Sequence, residues 1–394
     1  MSTERPFEVA IAGGALVGAA LARALRGARM ALIAQGSRPG PAGAPGFDSR
    51  VYAISPGNAD FLSELGAWSA IPETRRTPVH VMRVYGDDGA SLIEFDAYRT
   101  GCSELAWIVE DRLLQEALWN GLPRQEGLTL FPASSLQELD LSGPRASATL
   151  MDGRKLGAQL VVGADGARSL VRAQAGIPVQ ERAYGQSAVV ANFACSRPHR
   201  NVAFQWFHGA AMSGAVLALL PLPGDHVSMV WSATDAQAAR LLALEPGALA
   251  REVAAASREA VGELAPVTPQ RGFKLRQLVA ERLVAPRVAL AGDAAHVIHP
   301  LAGQGANLGL QDARVLAGVL KGREPGRDAG DLRLLRRYER ARAEDILAMR
   351  TTVHGLFRLF DARGFGIARL RNAGLNLANR LPVIKNLLMR QAMG

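Results

Sequence analysis

Along the opening of the chain the spacing of apolar positions changes twice. Phe7 to Ala12 is a short apolar run without helical spacing, the pattern of a parallel strand buried on both faces. Glycines follow at Gly13, Gly14 and Gly18, Ala19 to Leu25 reads as helix, and Met30 to Ala34 is a second apolar run. Strand, glycine turn, helix and strand make a βαβ unit, so the pattern predicts an α/β, Rossmann-like domain. Two later segments repeat the strand-then-turn plan. "LVVGADGARSLVR" (160–172) turns at Asp165-Gly166, and "VALAGDAAHVIHPLAGQGANLGLQDA" (288–313) turns at Gly292-Asp293 before a glycine-rich loop enters a helix near Gly305. Between Ala183 and Arg271 the runs "SAVVANFAC", "VAFQWFHG", "GAVLALLPL" and "HVSMVWSA" alternate as strands do, and "VMRVYGDDGASLIEFDAY" from Val81 adds more. These predict an inserted antiparallel sheet. From "LRLLRRYERAR" onward the chain reads as helical.

Composition narrows the class. A chain of 394 residues, 48% hydrophobic, can bury a sizeable core and suggests two or three domains. Its two cysteines, Cys102 and Cys195, lie far apart, so neither a disulfide framework nor a metal cluster is expected, and a reducing cytoplasm fits. The stretch Val9 to Leu25 has turn-spaced glycines and no basic leader, unlike a signal peptide, and no run has the apolar length to span a bilayer. From Ile346 to Gly394 there are eight basic residues against one acid, Asp361, so most of the formal charge of +9 sits in this C-terminal region. That distribution argues against a nucleic-acid surface and for a local contact with something anionic. Apolar Leu356, Phe357, Phe360, Leu377, Leu381, Ile384, Leu387 and Leu388 interleave with the charges there. Such helices fit a cap on the core and a contact with an anionic membrane surface equally well.

The glycine segment departs from the dinucleotide fingerprint G-x-G-x-x-G at two points. Gly13 and Gly18 hold the outer positions, but Ala15 holds the middle one and places a methyl where backbone meets pyrophosphate. The second strand ends in Ala34 and Gln35 instead of the acid that grips ribose, and a neutral amide bonds about half as strongly as a carboxylate.

With "DSRVYAIS" (48–55), "ELAWIVEDRLLQEAL" (104–118) and the terminal "RNAGLNLANRLPVIKNLLMRQAMG", these segments give the chain, over almost its whole length, a resemblance to the FAD-dependent aromatic hydroxylases of ubiquinone biosynthesis. Those are single-component flavin monooxygenases like para-hydroxybenzoate hydroxylase. The resemblance implies an FAD-binding domain built from 1–75, 101–180 and 272–345, a substrate domain from 76–100 and 181–271, and a basic helical region from 346–394. It implies FAD contacts from Gly13, Gly14, Ala15, Gly18 and Gln35. Arg50 and Arg112 match arginines that touch FAD, and Asp165 matches an aspartate linked to pyrophosphate and nicotinamide binding. Asp293, after Gly292, would bond the ribityl chain. Pro300, Gly303, Gln304, Gly305, Ala306 and Asn307 would frame the flavin, with backbone N–H groups of 303–306 at its pyrimidine edge, where a helix N-terminus stabilises negative charge.

The implied reaction inserts one atom of O2 into the ring of a polyprenylated phenol or quinone precursor. Electrons would come from NAD(P)H or a reduced electron-transfer protein, and other ubiquinone-biosynthesis proteins are implied as partners. A cytoplasmic protein, peripheral at the inner face of the membrane, would suit such a substrate. No acid–base pair stands out as catalytic. His296 and His299 read more readily as scaffold groups than as acids or bases, with a positioning role left open for His299. Phe204, Trp206, Phe207 and Trp231 are candidates to line an aromatic pocket, although alternating aromatics on strands are more often core. Ala15 and Ala34 leave open a non-catalytic assembly subunit of the same fold with weakened FAD binding. A flavin reductase or dehydrogenase of a prenylated substrate also stays open.

Overall fold

The computed structural model describes residues 5–36, 46–88, 91–208, 215–298 and 305–361, with side chains in the last helix as far as Ala348. Pro300, Gly303 and Gln304, together with His299 and the segment 362–394, lie outside the described residues. A parallel sheet forms where the apolar runs predict it. Its strands stand in the order Val288–Leu290, Lys155–Gly163, Phe7–Ala12, Met30–Ile33 and Leu128–Phe131, all parallel. Phe7–Ala12 and Met30–Ile33 are almost wholly buried because helices cover both faces of such a sheet. The three strands that precede the turns at Gly13, Asp165 and Asp293 are adjacent, so the turns converge at one edge of the sheet.

A helix, Leu16–Ala24, leaves the glycine turn and packs on the helix Gly305–Lys321. The contact is close because small residues meet Val17: a Cβ on Gly309 would fall 2.6 Å from its Cγ2, and one on Gly292 2.9 Å. The long helix Leu332–Asp361 packs on Gly305–Lys321 in turn.

The second sheet has nine strands. Its main path runs His296–Val297, Arg271–Ala280, Val179–Cys195, His226–Thr234, Val216–Leu222, Val202–Phe207, Val81–Tyr85 and Leu92–Asp96. Its pairs are antiparallel except where Val81–Tyr85 runs parallel to Val202–Phe207. The two-residue strand His296–Val297 directly follows the Gly292-Asp293 turn, so that turn joins the two sheets covalently.

The alternation of side chains across this sheet decides between the two readings of its aromatics in favour of core. Phe204, Trp206 and Trp231 do not line a pocket: they lie in a buried core with Met229 and Leu219, covered by the helices Asp235–Ala243 and Pro246–Ala256. Trp206 stacks between Phe204 and Tyr85, each ring centroid 5.6 Å away. Phe207 points to the other face but packs with Val84, Val216, Ile298 and Leu308. Strand alternation sends residues 204 and 206 to one face and 205 to the other, and the run "VAFQWF" is buried throughout, so its composition did not reveal which face was core.

Candidate active site

The three turns and the inner face of the nine-stranded sheet enclose one continuous cavity of about 840 Å³. At its first end stands the glycine turn. Gly13 has φ +108°, and a Cβ there would sit 2.1 Å from the Ala164 carbonyl oxygen, so only glycine lets the first and second turns approach this closely. Gly14 meets Ala34 and Trp119 in the same way, and Trp119 Nε1 donates to the Gly14 carbonyl at 2.7 Å. Gly18 lets the helix pack on the Gly13 carbonyl and does not itself line the cavity. Ala15, the departure from the fingerprint, has φ −75° and ψ −169°, ordinary extended backbone in which a Cβ costs no strain. Ala34 and Gln35 both line the cavity; Ala34 is buried against Gly14, whereas Gln35 is exposed.

Asp165 lies beside this turn. Its Oδ2 accepts from the backbone N–H groups of Leu170 and Val171 at 2.8 and 3.2 Å, fixing the carboxylate at the start of the next short helix. Its Oδ1 is buried without a hydrogen-bond partner among the described residues, and the residue is part of the cavity lining. A donor hydroxyl of a bound dinucleotide would satisfy that oxygen, whereas phosphate oxygens, acceptors themselves, would not.

Further in, Arg50, Tyr52, Asp111 and Asp293 gather on one wall. Arg50 lies over the Tyr52 ring, 5.3 Å from its centroid. Burial works against the Arg50 charge, but Tyr52, Asp111, Asp293 and Asp48 outweigh it and raise its pKa. Enclosure pushes the Asp293 carboxyl pKa up, against the pull of His296, Arg50 and Arg276. Burial likewise raises Asp111, opposed by the hydrogen bond from Gln115 and by Arg50. A lone arginine among carboxylates suits a ligand that is polar along its middle. Gly305, Ala306 and Asn307, at the start of the 17-residue helix Gly305–Lys321, line the same cavity.

Three of the residues singled out in the sequence hold the frame instead of facing the cavity. The Gly292 N–H donates to Asp312 at 2.8 Å, and the Arg112 N–H donates to Asp48 at 3.3 Å; neither residue lines the cavity, nor does Gly18. Asn307 does line it, yet its side-chain amide is occupied: Oδ1 accepts from the Ser55 N–H and from Asn58, and Nδ2 donates to the Ala53 carbonyl at 2.8 Å. It therefore fastens the segment that follows Arg50 and Tyr52.

Sequence patterns missed the network behind the Gly292-Asp293 turn. Asp312 is fully buried, and its Oδ2 accepts from His296 Nε2 at 2.7 Å as well as from Gly292, while its Oδ1 accepts from Arg342 Nε at 2.8 Å. Burial disfavours charge on both partners, but mutual attraction prevails: the His296 pKa is raised and the Asp312 pKa lowered. His296 is thus a satisfied scaffold group. Arg172 adds a second tie, donating to the Ala294 and Ala167 carbonyls at 2.8 Å and so linking two of the three turns. The signal for the network lay in three residues 16 and 30 positions apart, a spacing without local meaning.

The far end of the cavity is apolar, with Ala188, Val190, Ala203, Val216, Ala218, Leu220 and Val230 of the large sheet facing Val79, Leu105, Ile108 and Ile298. Among the described residues no group of acids, histidines and cysteines could hold a metal ion.

Residues 6–351 match the model of a family described as FAD binding domain. The chain is 36% identical to the ubiquinone hydroxylase UbiL of Rhodospirillum rubrum, over its whole length and 91% of that protein. It is 33% identical to the 3-demethoxyubiquinol 3-hydroxylase of Escherichia coli, with both chains covered completely. Among solved structures, the p-nitrophenol 4-monooxygenase PnpA of Pseudomonas putida superposes with a TM-score of 0.79 at 18% identity, over 100% of this chain and 99% of that one. HpxO of Klebsiella pneumoniae, complexed with FAD and uric acid, superposes with a TM-score of 0.71 at 18% identity, over 98% and 96%. These two likenesses speak to the fold.

Proposed function

The chain belongs to the FAD binding domain family, among the ubiquinone hydroxylases, and on that premise we propose that it inserts one oxygen atom of O2 into the ring of a polyprenylated phenol or quinone precursor. It is an FAD-dependent aromatic hydroxylase. When bound, FAD supplies the electron transfer and the oxygen activation. The observation that carries the reading is the continuity of the cavity, which runs from the glycine turn and Asp165 past Asp293 to an apolar sheet face.

Each part of that path has a task. The backbone N–H groups of Gly14 and Ala15 would face the diphosphate end, with Gly13 and Asp165 holding the first two turns in place, Gln35 would lie on the adenosine side, and Arg50 and Asp293 would meet the polar middle of the cofactor. Gly305 and Ala306 would offer N–H groups at the start of a long helix, where negative charge on the reduced ring is stabilised by about 0.3 to 1 kcal/mol or more. Pro300, Gly303 and Gln304 would complete that frame, and Arg112 and Gly292 support it through backbone bonds to Asp48 and Asp312. The aliphatic wall would orient the substrate ring and exclude water. No described side chain is assigned as a proton donor or acceptor.

NAD(P)H or a reduced electron-transfer protein would supply the electrons. Among the described residues no helix is long and apolar enough to cross a membrane. A substrate held in the bilayer would be reached from its inner face, and the basic segment 346–394 has the charge for an anionic surface. The test is turnover of a prenylated phenol in detergent under 18O2, with NADPH or a reduced ferredoxin system. The expected product carries one labelled oxygen; substrate oxidised without label would favour a dehydrogenase and refute the hydroxylase.

A further inference from the structure

The cavity face of the large sheet carries an amide that nothing in the fold explains. Across the strands Val230 pairs with Ala218, and Ala218 with Gln205, so Gln205 continues an otherwise aliphatic row. A neighbouring row adds Val216 paired with Ser232. Gln205 and Ser232 are the only polar residues among the described residues through which this sheet lines the cavity. Gln205 is 6% exposed, and among the described residues nothing donates to its side-chain amide or accepts from it. Its neighbours in sequence, Phe204 and Trp206, are committed to the core on the opposite face, so strand alternation holds residue 205 toward the cavity.

The polar atoms of the amide are not among the fully buried unpartnered ones, so they open onto the cavity and are available to its occupant, whereas a sheet centre built for packing alone would carry an aliphatic residue there. The amide offers one acceptor and two donors and no charge. A neutral ring hydroxyl or carbonyl matches that inventory, whereas a carboxylate or phosphate would meet no cation among the described residues of this sheet that line the cavity. We propose that Gln205 is a specificity-determining residue that grips a ring oxygen of the aromatic substrate and so sets the orientation of the ring. The assignment rests on the hydroxylase reading above and deepens it.

The test uses the FAD-loaded protein and two ligands, a prenylated phenol and the same compound without the ring hydroxyl, with binding followed by perturbation of the flavin absorption. The wild type should prefer the phenol by about tenfold, the span of one neutral hydrogen bond. Gln205→Leu should erase that preference and bind the deoxy compound at least as tightly as the wild type does. Its flavin content should be unchanged and its unfolding midpoint close to that of the wild type, because the amide makes no hydrogen bond among the described residues. Gln205→Met serves the same purpose should the branched side chain disturb packing. Retention of the preference in these variants would overturn the assignment. A wild type that binds both ligands equally would remove the Gln205 grip and leave the hydroxylase reading standing, while one that binds neither ligand would remove both.

Discussion

Asp312→Asn keeps the shape of the buried carboxylate and deletes its charge. In the wild type this group accepts three hydrogen bonds of 2.7 to 2.8 Å, from His296, Gly292 and Arg342; Asp312, His296 and Arg342 are within 2% of full burial, and Gly292 is buried. The amide cannot accept from all three donors, and it leaves the buried Arg342 without its carboxylate. Breaking a buried ion pair from one side costs about 3 to 5 kcal/mol, and that is the loss expected in urea unfolding of the FAD-loaded protein. The pH dependence follows from the two shifts. The His296 pKa lies above its ordinary 6.5 in the folded state, so its contribution is fully present below 6.5 and is lost as pH rises through the raised value. The Asp312 pKa lies below its ordinary 3.8, so its contribution is present above 3.8 and is lost as pH falls through the lowered value. Without the carboxylate, burial and Arg342 both disfavour charge on His296, against the weaker pull of Asp293. The stability gap between wild type and variant should therefore be largest in mildly acidic solution and narrow as pH climbs past 6.5. A gap below about 1 kcal/mol, or one that widens toward alkaline pH, would refute a charged His296–Asp312 pair.

Asp293→Ala should weaken FAD retention by about tenfold or more while leaving the circular dichroism spectrum intact, as measured by flavin content after gel filtration; full retention would remove Asp293 from the cofactor's path. Gly13→Ala forces a side chain into a positive-φ position 2.1 Å from a carbonyl oxygen, and should cost at least about 2 kcal/mol together with loss of flavin, read by thermal unfolding and absorbance. Trp206→Ala should cost about 3 to 5 kcal/mol of stability with the preference for phenol over its deoxy counterpart unchanged; a changed preference at full stability would return Trp206 to the substrate wall.

The three strand-and-turn segments were legible in the sequence because each is local: an apolar run, then glycine or Asp-Gly, then helix. Adjacent parallel strands must then bring such turns together at one edge, which is why Gly13, Gly14, Ala15, Asp165 and Asp293 could be picked out before any coordinates. The resemblance to the ubiquinone hydroxylases rested on the same local segments. Ala15 looked like a defect in the sequence, yet its extended backbone accommodates a methyl, a fact held in φ and ψ and not in the residue name.

What the tertiary structure decided was direction. The face of a wholly buried strand cannot be read from composition, so the aromatics of "VAFQWF" were candidates for the pocket until the pairing sent Phe204 and Trp206 to the core and Gln205 to the cavity. The same holds for Gly292 and Asn307, whose places in a motif did not reveal that their polar groups serve Asp312 and the segment after Arg50. Local pattern specifies which elements form because backbone geometry repeats over a few residues. Which buried side chain meets which depends on contacts between residues hundreds of positions apart, such as Asn307 with Ser55, and only the assembled sheets and helices fix those.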